Sequence, residues 1–246
     1  MNRIKTFFKE RSLDIKKMNS DKSFKSLSLK WIKKSIKYKY NYNFCWMGRP
    51  IIKYPNDMIV IQEIFWDVKP DLVIETGIAH GGSIIYSASL LKMMNIKNFK
   101  VVGIDIDIRK HNLKEINKSP MRKHIKMFEG SSVNEKLVKK VFNYSKKFKK
   151  ILIILDSNHT HDHVSKELNI YSKLVSKNSY MILPDTYIGY LPNGIFPNRP
   201  WTKNNNPMTA LKEFLKKNKK FKIDKFLSSK SMITEAMNGF VKKIKN

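Results

Sequence analysis

The amino-acid sequence predicts an α/β fold with a mostly parallel, doubly wound sheet. Residues 72–83 form an apolar segment followed by a glycine-rich turn, and residues 103–107 form a second short segment that ends in acids. Residues 151–155 are a continuous apolar run, which is typical of a strand buried on both faces. Strands that alternate with helices favour parallel crossovers, so we expect the ligand site beyond the carboxyl ends of these strands.

The glycine-rich turn predicts a bound cofactor. Its glycines are Gly77, Gly81 and Gly82. Glycine allows backbone angles that other residues resist, and it lets a ligand approach a helix N-terminus closely. The spacing differs from the G-x-G-x-x-G of dinucleotide sites, and Ser83 stands where a phosphate loop carries lysine. A ligand with a ribose for Asp105 and an amino-acid end near Glu75 is favoured instead, which suits S-adenosylmethionine.

Acids stand at the carboxyl ends of four predicted strands. They are Glu75, Asp105, Asp156 and Asp185. We expect them to face one crevice, because the carboxyl ends of parallel strands meet at one edge of a sheet. Asp156 and Asp185 have no role toward the cofactor in this arrangement and are therefore candidates to hold a hard divalent cation such as Mg²⁺. Considered singly, each of these residues could also be an acid that ends a strand without any role in binding.

Seven short motifs are spread along the chain from residue 42 to residue 201. They are YNF at 42–44, GRPIIKYP at 48–55, ETGIAHGGS at 75–83, GIDIDIR at 103–109, GSS at 130–132, LDSNHTH at 155–161 and RPW at 199–201. Together they closely resemble the cephalosporin hydroxylase family, which also includes rhamnosyl O-methyltransferases, over about residues 40–244. The resemblance implies a Rossmann-like methyltransferase that uses S-adenosylmethionine and carries a magnesium site.

The resemblance also implies a role for each matching residue. The methionine end of the cofactor would be lined by Glu75, Gly77, Ala79, Gly81 and Ser83. Asp105 would bind the ribose, and Ser131 or Ser132 would lie near the adenine. Mg²⁺ would be bound by Asp156 and Asp185.

The expected reaction is O-methyl transfer rather than hydroxylation. A hydroxylase would need iron held by histidines and a carboxylate, a flavin or a haem, whereas the resemblance implies methyl transfer. Magnesium would bind vicinal hydroxyls of the acceptor and lower the pKa of the hydroxyl that attacks. His159 is the candidate general base, and helix capping or packing is its alternative role. Relatives can carry an acid directly before the second metal aspartate, where this chain has Pro184, so water or substrate oxygens could complete the metal's shell.

The sequence HTHDH at residues 159–163 supports a different interpretation, a zinc hydrolase. Hydrolases of the metallo-β-lactamase type hold two zinc ions with H-x-H-x-D-H, and this chain is one residue short of that pattern. The other histidines lie in unrelated places: His80, His111 and His124. We therefore prefer the methyltransferase.

The net charge of +29 raises the question of a nucleic-acid partner. The lysines are spread over the whole sequence, and it contains no RNP-type aromatic pattern, zinc-finger spacing or KH loop. We expect no specific nucleic-acid partner, so a nucleic-acid methyltransferase ranks low. The single cysteine, Cys45, excludes a disulfide within the chain, and no apolar run has the length of a signal peptide or a membrane span. These features predict a cytoplasmic protein.

Residues 1–40 differ in composition from residues 41–246, so we expect a basic helical extension before a methyltransferase domain. The extension holds thirteen Lys or Arg against three acids, with apolar residues at helical spacing. Its amphipathic helices are expected to pack on the domain. Contact with an anionic membrane surface, at the inner face of the membrane, or with a second subunit is the alternative, and we expect a homo-oligomer.

Two segments after Asp185, residues 187–194 and 198–207, are rich in turn formers and aromatic residues and are expected to form a lid. Trp201 could stack on a sugar or aromatic acceptor and Arg199 could bind an acidic group, unless Trp201 only anchors the loop. The expected acceptor is a sugar hydroxyl of a glycan or glycolipid, with a small secondary metabolite as the alternative. Late strands are expected at residues 221–227, 231–234 and 239–244, the last two as an antiparallel pair.

Overall fold

The computed structural model of the chain describes residues 3–245. Residues 1, 2 and 246, which belong to the predicted 1–40 extension and 41–246 domain, lie outside the described part. The chain begins with two helices, α1 (Arg3–Ser20) and α2 (Lys22–Lys37), followed by a short antiparallel hairpin of β1 (Cys45–Trp46) and β2 (Arg49–Pro50). The helices agree with the helical pattern of residues 1–40, and the domain boundary at residue 40 stays a prediction.

A seven-stranded sheet forms the centre of the fold. Its strands are β3 (Leu72–Thr76), β4 (Lys100–Asp105), β5 (Ile125–Glu129), β6 (Ile151–Leu155), β7 (Tyr180–Ile182), β8 (Phe221–Ile223) and β9 (Phe240–Lys243). The order across the sheet is β5-β4-β3-β6-β7-β9-β8, and the first five strands in this order are parallel. Strand β9 is antiparallel to both β7 and β8. This confirms the predicted mostly parallel sheet with an antiparallel late strand.

Helices cover both faces of the sheet. The remaining helices are α3 (Pro55–Val68), α4 (Gly82–Met93), α5 (Lys110–Lys118), α6 (Glu135–Ser145), α7 (His161–Tyr171), α8 (Pro207–Lys217) and α9 (Lys225–Ser231). Helices α3, α4, α5 and α9 contribute to one apolar core, and α6, α7 and α8 contribute to a second. Val73 of β3 belongs to the first core whereas Leu72 and Ile74 belong to the second, because side chains alternate between the faces of a strand. The predicted doubly wound architecture is thereby confirmed.

Close approach of neighbouring backbones explains two glycines of the turn after β3. Gly77 has a φ of +79°, and a Cβ atom there would lie 2.1 Å from the carbonyl oxygen of Asp156. A Cβ atom at Gly82 would lie 2.2 Å from the carbonyl oxygen of Pro50. Glycine is therefore needed at these positions because a side chain would prevent the adjacent backbone segments from packing. This adds to the conformational reason that was expected from the sequence.

The strand predicted over residues 231–234 is wrong. The carboxylate of Asp224 accepts hydrogen bonds from two backbone N–H groups of the following turn, which starts helix α9 and ends strand β8 at Ile223. Helix α9 then continues to Ser231. The hydroxyl of Thr234 donates a hydrogen bond to the buried carboxylate of Asp57 on α3. Helix capping and this contact with α3 take the segment out of the sheet.

The two N-terminal helices bury different amounts of their surface. The buried residue of α1 is Ile15, whereas α2 buries three residues that include Ile32. Ile32 packs against Tyr187 and its apolar neighbours in the short 3₁₀ helix Thr186–Tyr190. Helix α2 therefore packs on the sheet domain. No helix within residues 3–245 is both long and apolar enough to cross a membrane.

Candidate active site

A cavity of about 500 Å³ opens where strands β3, β4, β6 and β7 end. The predicted site residues that line it are Gly77, Ala79, Ser83, Asp105, Asp156, His159, Asp185, Arg199 and Trp201. Residues from distant parts of the chain meet here because parallel strands present their carboxyl ends at one edge. The volume lies within the range of sites for small ligands.

Four of the residues predicted to contact the cofactor do not line this cavity. They are Glu75, Gly81, Ser131 and Ser132. Gly81 precedes α4 with a φ of +84°. Ser132 is buried, and its hydroxyl oxygen lies 3.0 Å from Nε2 of His163. The structure does not bring the two serines to the cavity, so their proximity to an adenine stays a prediction.

Glu75, at the end of β3, is completely buried. Within residues 3–245, neither of its carboxylate oxygens has a hydrogen-bond partner. Burial raises the pKa of Glu75 to about 7, against the opposing effects of Lys53 and of the nearby Ser83 hydroxyl. Because Ser83 lines the cavity, Glu75 lies one side chain behind its wall. A buried carboxylate without a donor favours a cationic group of a ligand close by.

Asp105 closes the glycine-rich turn. Its Oδ2 accepts hydrogen bonds from the N–H of Ile78 at 2.8 Å and from the N–H of Ala79 at 3.2 Å. Its Oδ1 accepts one from the N–H of Asp107 at 3.1 Å. A carboxylate can accept about four hydrogen bonds, so Asp105 retains capacity for a donor in the cavity. Asp105 therefore both holds the turn and faces the ligand space.

Arg49 and Asn112 brace the same turn. Arg49 Nη2 donates to the carbonyl oxygen of His80 at 2.7 Å and to Oδ1 of Asn112 at 2.8 Å. Asn112 Nδ2 in turn donates to the carbonyl oxygen of Ala79 at 3.1 Å. Ala79 has a φ of +43°, which side-chain-bearing residues rarely adopt, and these bonds help to hold it there. The sequence placed Arg49 in a motif but gave it no role.

Asp156, His159 and Asp185 form a cluster in which one potential ligand atom from each residue lies within 4.8 Å of the others. His159 Nδ1 is 3.5 Å from Asp185 Oδ2. Burial raises the pKa of Asp185, His159 opposes that effect, and the neighbouring Asp156 carboxylate adds to it. Two carboxylates that repel each other in a largely buried site favour a divalent cation between them. A ring nitrogen of His159 lies close enough to both carboxylates to contact a ligand that is bound beside such an ion.

Lys53 is buried beside this cluster, and no role was predicted for it from the sequence. Its Nζ lies 3.0 Å from Asp156 Oδ2 and 3.4 Å from Glu235 Oε1. Burial by itself lowers the pKa of Lys53, but the negative charges of Asp156, Glu235 and Glu75 outweigh that effect and hold the pKa well above its usual value. Lys53 therefore supplies a permanent positive charge at the back of the site.

Glu235 and Asp57 continue the charged network behind Lys53. The Asp57 carboxylate accepts hydrogen bonds from the N–H of Glu235 at 2.9 Å and from the hydroxyl of Thr234. Burial raises the pKa of Asp57 to about 6, although the bond from Thr234 opposes the change. Burial also raises the pKa of Glu235 well above its usual value despite Lys53. Carboxylates outnumber the buried positive charge here, so a further cation stabilises the site.

The histidines of residues 159–163 have three different sets of partners. His161 Nδ1 lies 2.9 Å from Thr209 Oγ1, and His163 Nε2 lies 3.0 Å from Ser132 Oγ. Over the described range 3–245, the cluster containing His159 is the one group of three or more potential ligands close enough to share an ion. The two-zinc arrangement of the hydrolase alternative is therefore not formed.

The segment after Asp185 borders the cavity, as expected of a lid. Tyr187, Arg199 and Trp201 all line it. The ring of Trp201 packs edge-on against His159 with centroids 4.6 Å apart, and the guanidinium carbon of Arg199 lies 5.2 Å from the centre of the Trp201 ring. Trp201 thus fixes the loop against the cluster and also contributes to the cavity wall.

Solved structures with the same fold include several methyltransferases. The CmcI protein solved with Mg and SAM aligns with a TM-score of 0.58 and 18% identity over 82% of this chain and 77% of that one. The O-methyltransferase TomG from Streptomyces achromogenes, solved with SAM, gives a TM-score of 0.55 and 9% identity over 89% and 90% of the two chains. At these identities the likeness concerns the fold.

Curated relatives match part of the chain. Rhamnosyl O-methyltransferases of Mycobacterium tuberculosis and Mycobacterium bovis are 30% identical over 149 residues, which are 60% of this chain and 58% of theirs. The relative from Mycobacterium leprae is 30% identical over the same length, 62% of its own. The chain thus matches less than two thirds of the length of these relatives.

A family model described as rhamnosyl O-methyltransferase/CmcI matches residues 38–244. This range agrees with the resemblance found in the sequence motifs, and it includes the glycine-rich turn and the cluster of Asp156, His159 and Asp185. Because the match covers most of the chain, the protein belongs to the rhamnosyl O-methyltransferase/CmcI family.

Proposed function

We propose that this protein is a magnesium-assisted O-methyltransferase that moves the methyl group of S-adenosylmethionine to a sugar hydroxyl. One observation carries the proposal: Asp105 and the cluster of Asp156, His159 and Asp185 open into the same cavity of about 500 Å³. Methyl transfer requires the donor carbon and the acceptor oxygen to be held within a few ångströms and in line. A common cavity with a cofactor side and a metal side meets that requirement.

The residues around the glycine-rich turn fit the cofactor. Asp105 has acceptor capacity left for ribose hydroxyls, and Gly77 and Ala79 border the space beside it. The unpartnered carboxylate of Glu75 favours a cationic group near Ser83, and the ammonium of a methionine end is such a group. When bound, S-adenosylmethionine supplies a methyl group that its sulfonium charge already activates.

The acids after β6 and β7 fit magnesium. Asp156 and Asp185 offer carboxylate oxygens, which Mg²⁺ prefers, and water can complete the shell. When bound, magnesium supplies positive charge that lowers the pKa of an acceptor hydroxyl. Lys53 pairs with Oδ2 of Asp156 and so fixes the orientation of this carboxylate.

His159 is the proposed general base. Asp185 Oδ2, 3.5 Å from Nδ1, orients the imidazole and leaves Nε2 to accept the hydroxyl proton. In this role His159 would take the hydroxyl proton as the methyl group passes from sulfur to the acceptor oxygen. The electron pair of the broken carbon–sulfur bond would stay on sulfur, and S-adenosylhomocysteine would be the leaving group. The edge-on contact with Trp201 helps to keep the ring in place.

A sugar is the proposed acceptor. The curated relatives that match 60% of the chain are named for a rhamnosyl acceptor. The cavity wall also contains Trp201, and aromatic rings offer flat apolar surface on which the C–H face of a sugar can pack. Arg199, next to that ring, is placed to bind an acidic substituent of the glycan.

A methyl-transfer assay tests this proposal. The full chain is incubated with methyl-labelled S-adenosylmethionine and either rhamnosides, other glycosides, a catechol or RNA, with Mg²⁺ or with a chelator. We expect label on a glycoside hydroxyl, dependent on Mg²⁺ and lost in Asp156→Asn but kept in Asp107→Asn, whose side chain is exposed. Label on the catechol or RNA alone would reject the sugar acceptor. Cofactor binding without transfer to any of these hydroxyls would count against the proposed reaction.

A further inference from the structure

The two N-terminal helices carry large apolar side chains on their outer surface. On α1, Phe7 is 60% exposed and Phe8 is 47% exposed. On α2, Leu27 is 60% exposed and Phe24 is 39% exposed. Several large exposed apolar side chains on two helices that contact each other are unusual on a surface that faces only water.

On α2 the apolar side chains form a stripe that adjoins its packed face. Phe24, Leu27 and Trp31 follow at spacings of three and four, which places them on one side of the helix. The packed face is centred on Ile32, which contacts the segment after Asp185. Trp31, at one end of the stripe, also packs edge-on against the rings of Tyr40 and Tyr54, so Phe24 and Leu27 are the part of the stripe that faces outward.

On α1 a similar stripe is covered at one end only. Phe7, Phe8, Arg11 and Ile15 lie on one side of this helix. Ile15 is buried, whereas the two phenylalanines two turns earlier are exposed. Helix α1 thus packs at its carboxyl-terminal part and presents its first turns outward.

The charge next to these stripes is strongly positive. Residues 1–40 contain thirteen Lys or Arg and three acids, an excess of ten positive charges. On α2, Lys30 lies three positions after Leu27 and Lys34 lies three positions after Trp31, so an exposed lysine row borders the apolar stripe. Apolar side chains flanked by lysines are typical of helices that lie in the boundary of an anionic membrane.

We propose that α1 and α2 form a docking surface for an anionic lipid bilayer. Phe7, Phe8, Phe24 and Leu27 enter the apolar boundary of the bilayer while the lysines contact its head groups. Contact is in the plane of the surface, since these helices lack the apolar length to span a membrane. A second copy of the chain fits less well, because it would bring another ten positive charges against the first. A nucleic acid would match the lysines but would leave the apolar stripes in water.

Vesicle co-sedimentation of the full chain tests the proposal without any need for methyl transfer. The probes are vesicles of equal parts phosphatidylglycerol and phosphatidylcholine, compared with phosphatidylcholine alone, at near-physiological salt. We expect binding to the anionic vesicles, reduced by about tenfold or more in Phe7→Ser/Phe8→Ser and in Lys30→Glu/Lys34→Glu. The matched controls are Met93→Ser, at a residue 67% exposed on α4, and Lys139→Glu/Lys140→Glu on the exposed side of α6. Both controls should bind like the wild type.

Four results would overturn the proposal. The first is no binding to anionic vesicles, and the second is binding that the control variants weaken as much as the test variants do. The third is salt-sensitive binding that Phe7→Ser/Phe8→Ser leaves unchanged. The fourth is a dimer, detected by light scattering, that Phe7→Ser/Phe8→Ser dissociates. The third result would show that the lysines bind any polyanion without help from the apolar side chains. The fourth would show that a second copy of the chain covers α1 and α2. Circular dichroism of each variant verifies that the helices are retained.

Discussion

The Nζ atom of Lys53 lies 3.0 Å from Oδ2 of Asp156, although the two residues are 103 positions apart in the chain. The same Nζ lies 3.4 Å from Oε1 of Glu235. Lys53 is 2% exposed, so this cation joins a candidate metal ligand to a buried acid with almost no help from water. The charge of Lys53 is therefore part of both the stability and the chemistry of the site.

Removal of that charge should destabilise the fold strongly. In Lys53→Met the carboxylates of Asp156 and Glu235 lose their buried partner, and breaking a buried pair from one side costs about 3–5 kcal/mol. We expect a loss of that size in the free energy of unfolding, measured with denaturant, and partial recovery in Lys53→Met/Glu235→Gln. Lys230→Met, which breaks a more exposed pair with Glu63, should cost about 1 kcal/mol or less. Equal losses in the two single variants would show that burial of Lys53 is unimportant.

Glu75 should make stability depend on pH. Burial raises its pKa from 4.5 to about 7, so the folded state holds the proton more tightly than the unfolded state does. The stability that this provides is complete below about pH 4.5 and is lost as the pH rises through about 7. Relative to the wild type without ligands, Glu75→Gln should gain about 3 kcal/mol in the free energy of unfolding between about pH 4.5 and about pH 8. The exposed variant Glu10→Gln is the control. A difference that does not change with pH for Glu75→Gln would contradict the assignment.

Turnover and metal affinity together distinguish whether His159 acts as a general base or as a metal ligand. As a base, its replacement in His159→Gln should lower turnover by about 10²- to 10⁴-fold and leave metal affinity almost unchanged. Metal affinity can be measured by titration with Mn²⁺ followed by paramagnetic resonance, and Asp185→Asn serves as the variant that should lose it. Loss of Mn²⁺ affinity in His159→Gln comparable to that in Asp185→Asn would reassign this residue as a ligand.

Arg49 should influence cofactor affinity through the turn that it braces, although it does not itself line the cavity. Its Nε and Nη2 both donate to the His80 carbonyl oxygen, at 3.1 and 2.7 Å. Lysine keeps the charge but lacks this fork, so Arg49→Lys should loosen the turn and weaken binding of S-adenosylhomocysteine by about tenfold in calorimetry. Arg109→Lys, at an exposed side chain, is the control. Unchanged affinity in Arg49→Lys would mean that the turn holds its shape without this brace.

The parts of the fold that could be predicted are the segments whose own residues form a recognisable pattern, such as an apolar run followed by a glycine or an acid. Strand β6 is an uninterrupted apolar run followed by an aspartate, and β3 begins with three apolar residues and ends before a glycine. Their buried position in a parallel sheet follows from these patterns. Asp105, Asp156 and Asp185, near the ends of β4, β6 and β7, meet at one cavity because topology fixes which strand ends are adjacent. Local sequence and sheet geometry were sufficient for this part of the site.

Lys53 and Glu235 could not be predicted in the same way. Lys53 is one of 49 Lys or Arg residues, and its partner Glu235 is 182 positions away. A signal was present in hindsight, since Lys53 follows Ile51 and Ile52 and precedes Tyr54, all within a motif that carried the family resemblance. A lysine within an apolar run is a candidate for burial, but its partners depend on tertiary packing.

The wrong strand over residues 231–234 has a similar cause. Met232 and Ile233 suggest a short apolar strand, yet two residues carry too little periodicity to identify one. Asp224 starts a helix just before them, and Asp57 binds the backbone just after them. Both interactions depend on side chains outside the apolar pair, so the local pattern was misleading.

The most direct test of the proposed site is a calorimetric titration with S-adenosylmethionine, with and without Mg²⁺, on the wild type and on Asp105→Ala and Asp156→Ala. Asp105→Ala should lose cofactor affinity by about tenfold or more, because it removes both the ribose acceptor and two bonds that hold the turn. Asp156→Ala should keep cofactor affinity and lose any effect of Mg²⁺ on binding. Equal affinity and equal response to Mg²⁺ in all three proteins would contradict the claim that one cavity holds both a methyl donor and a metal ion.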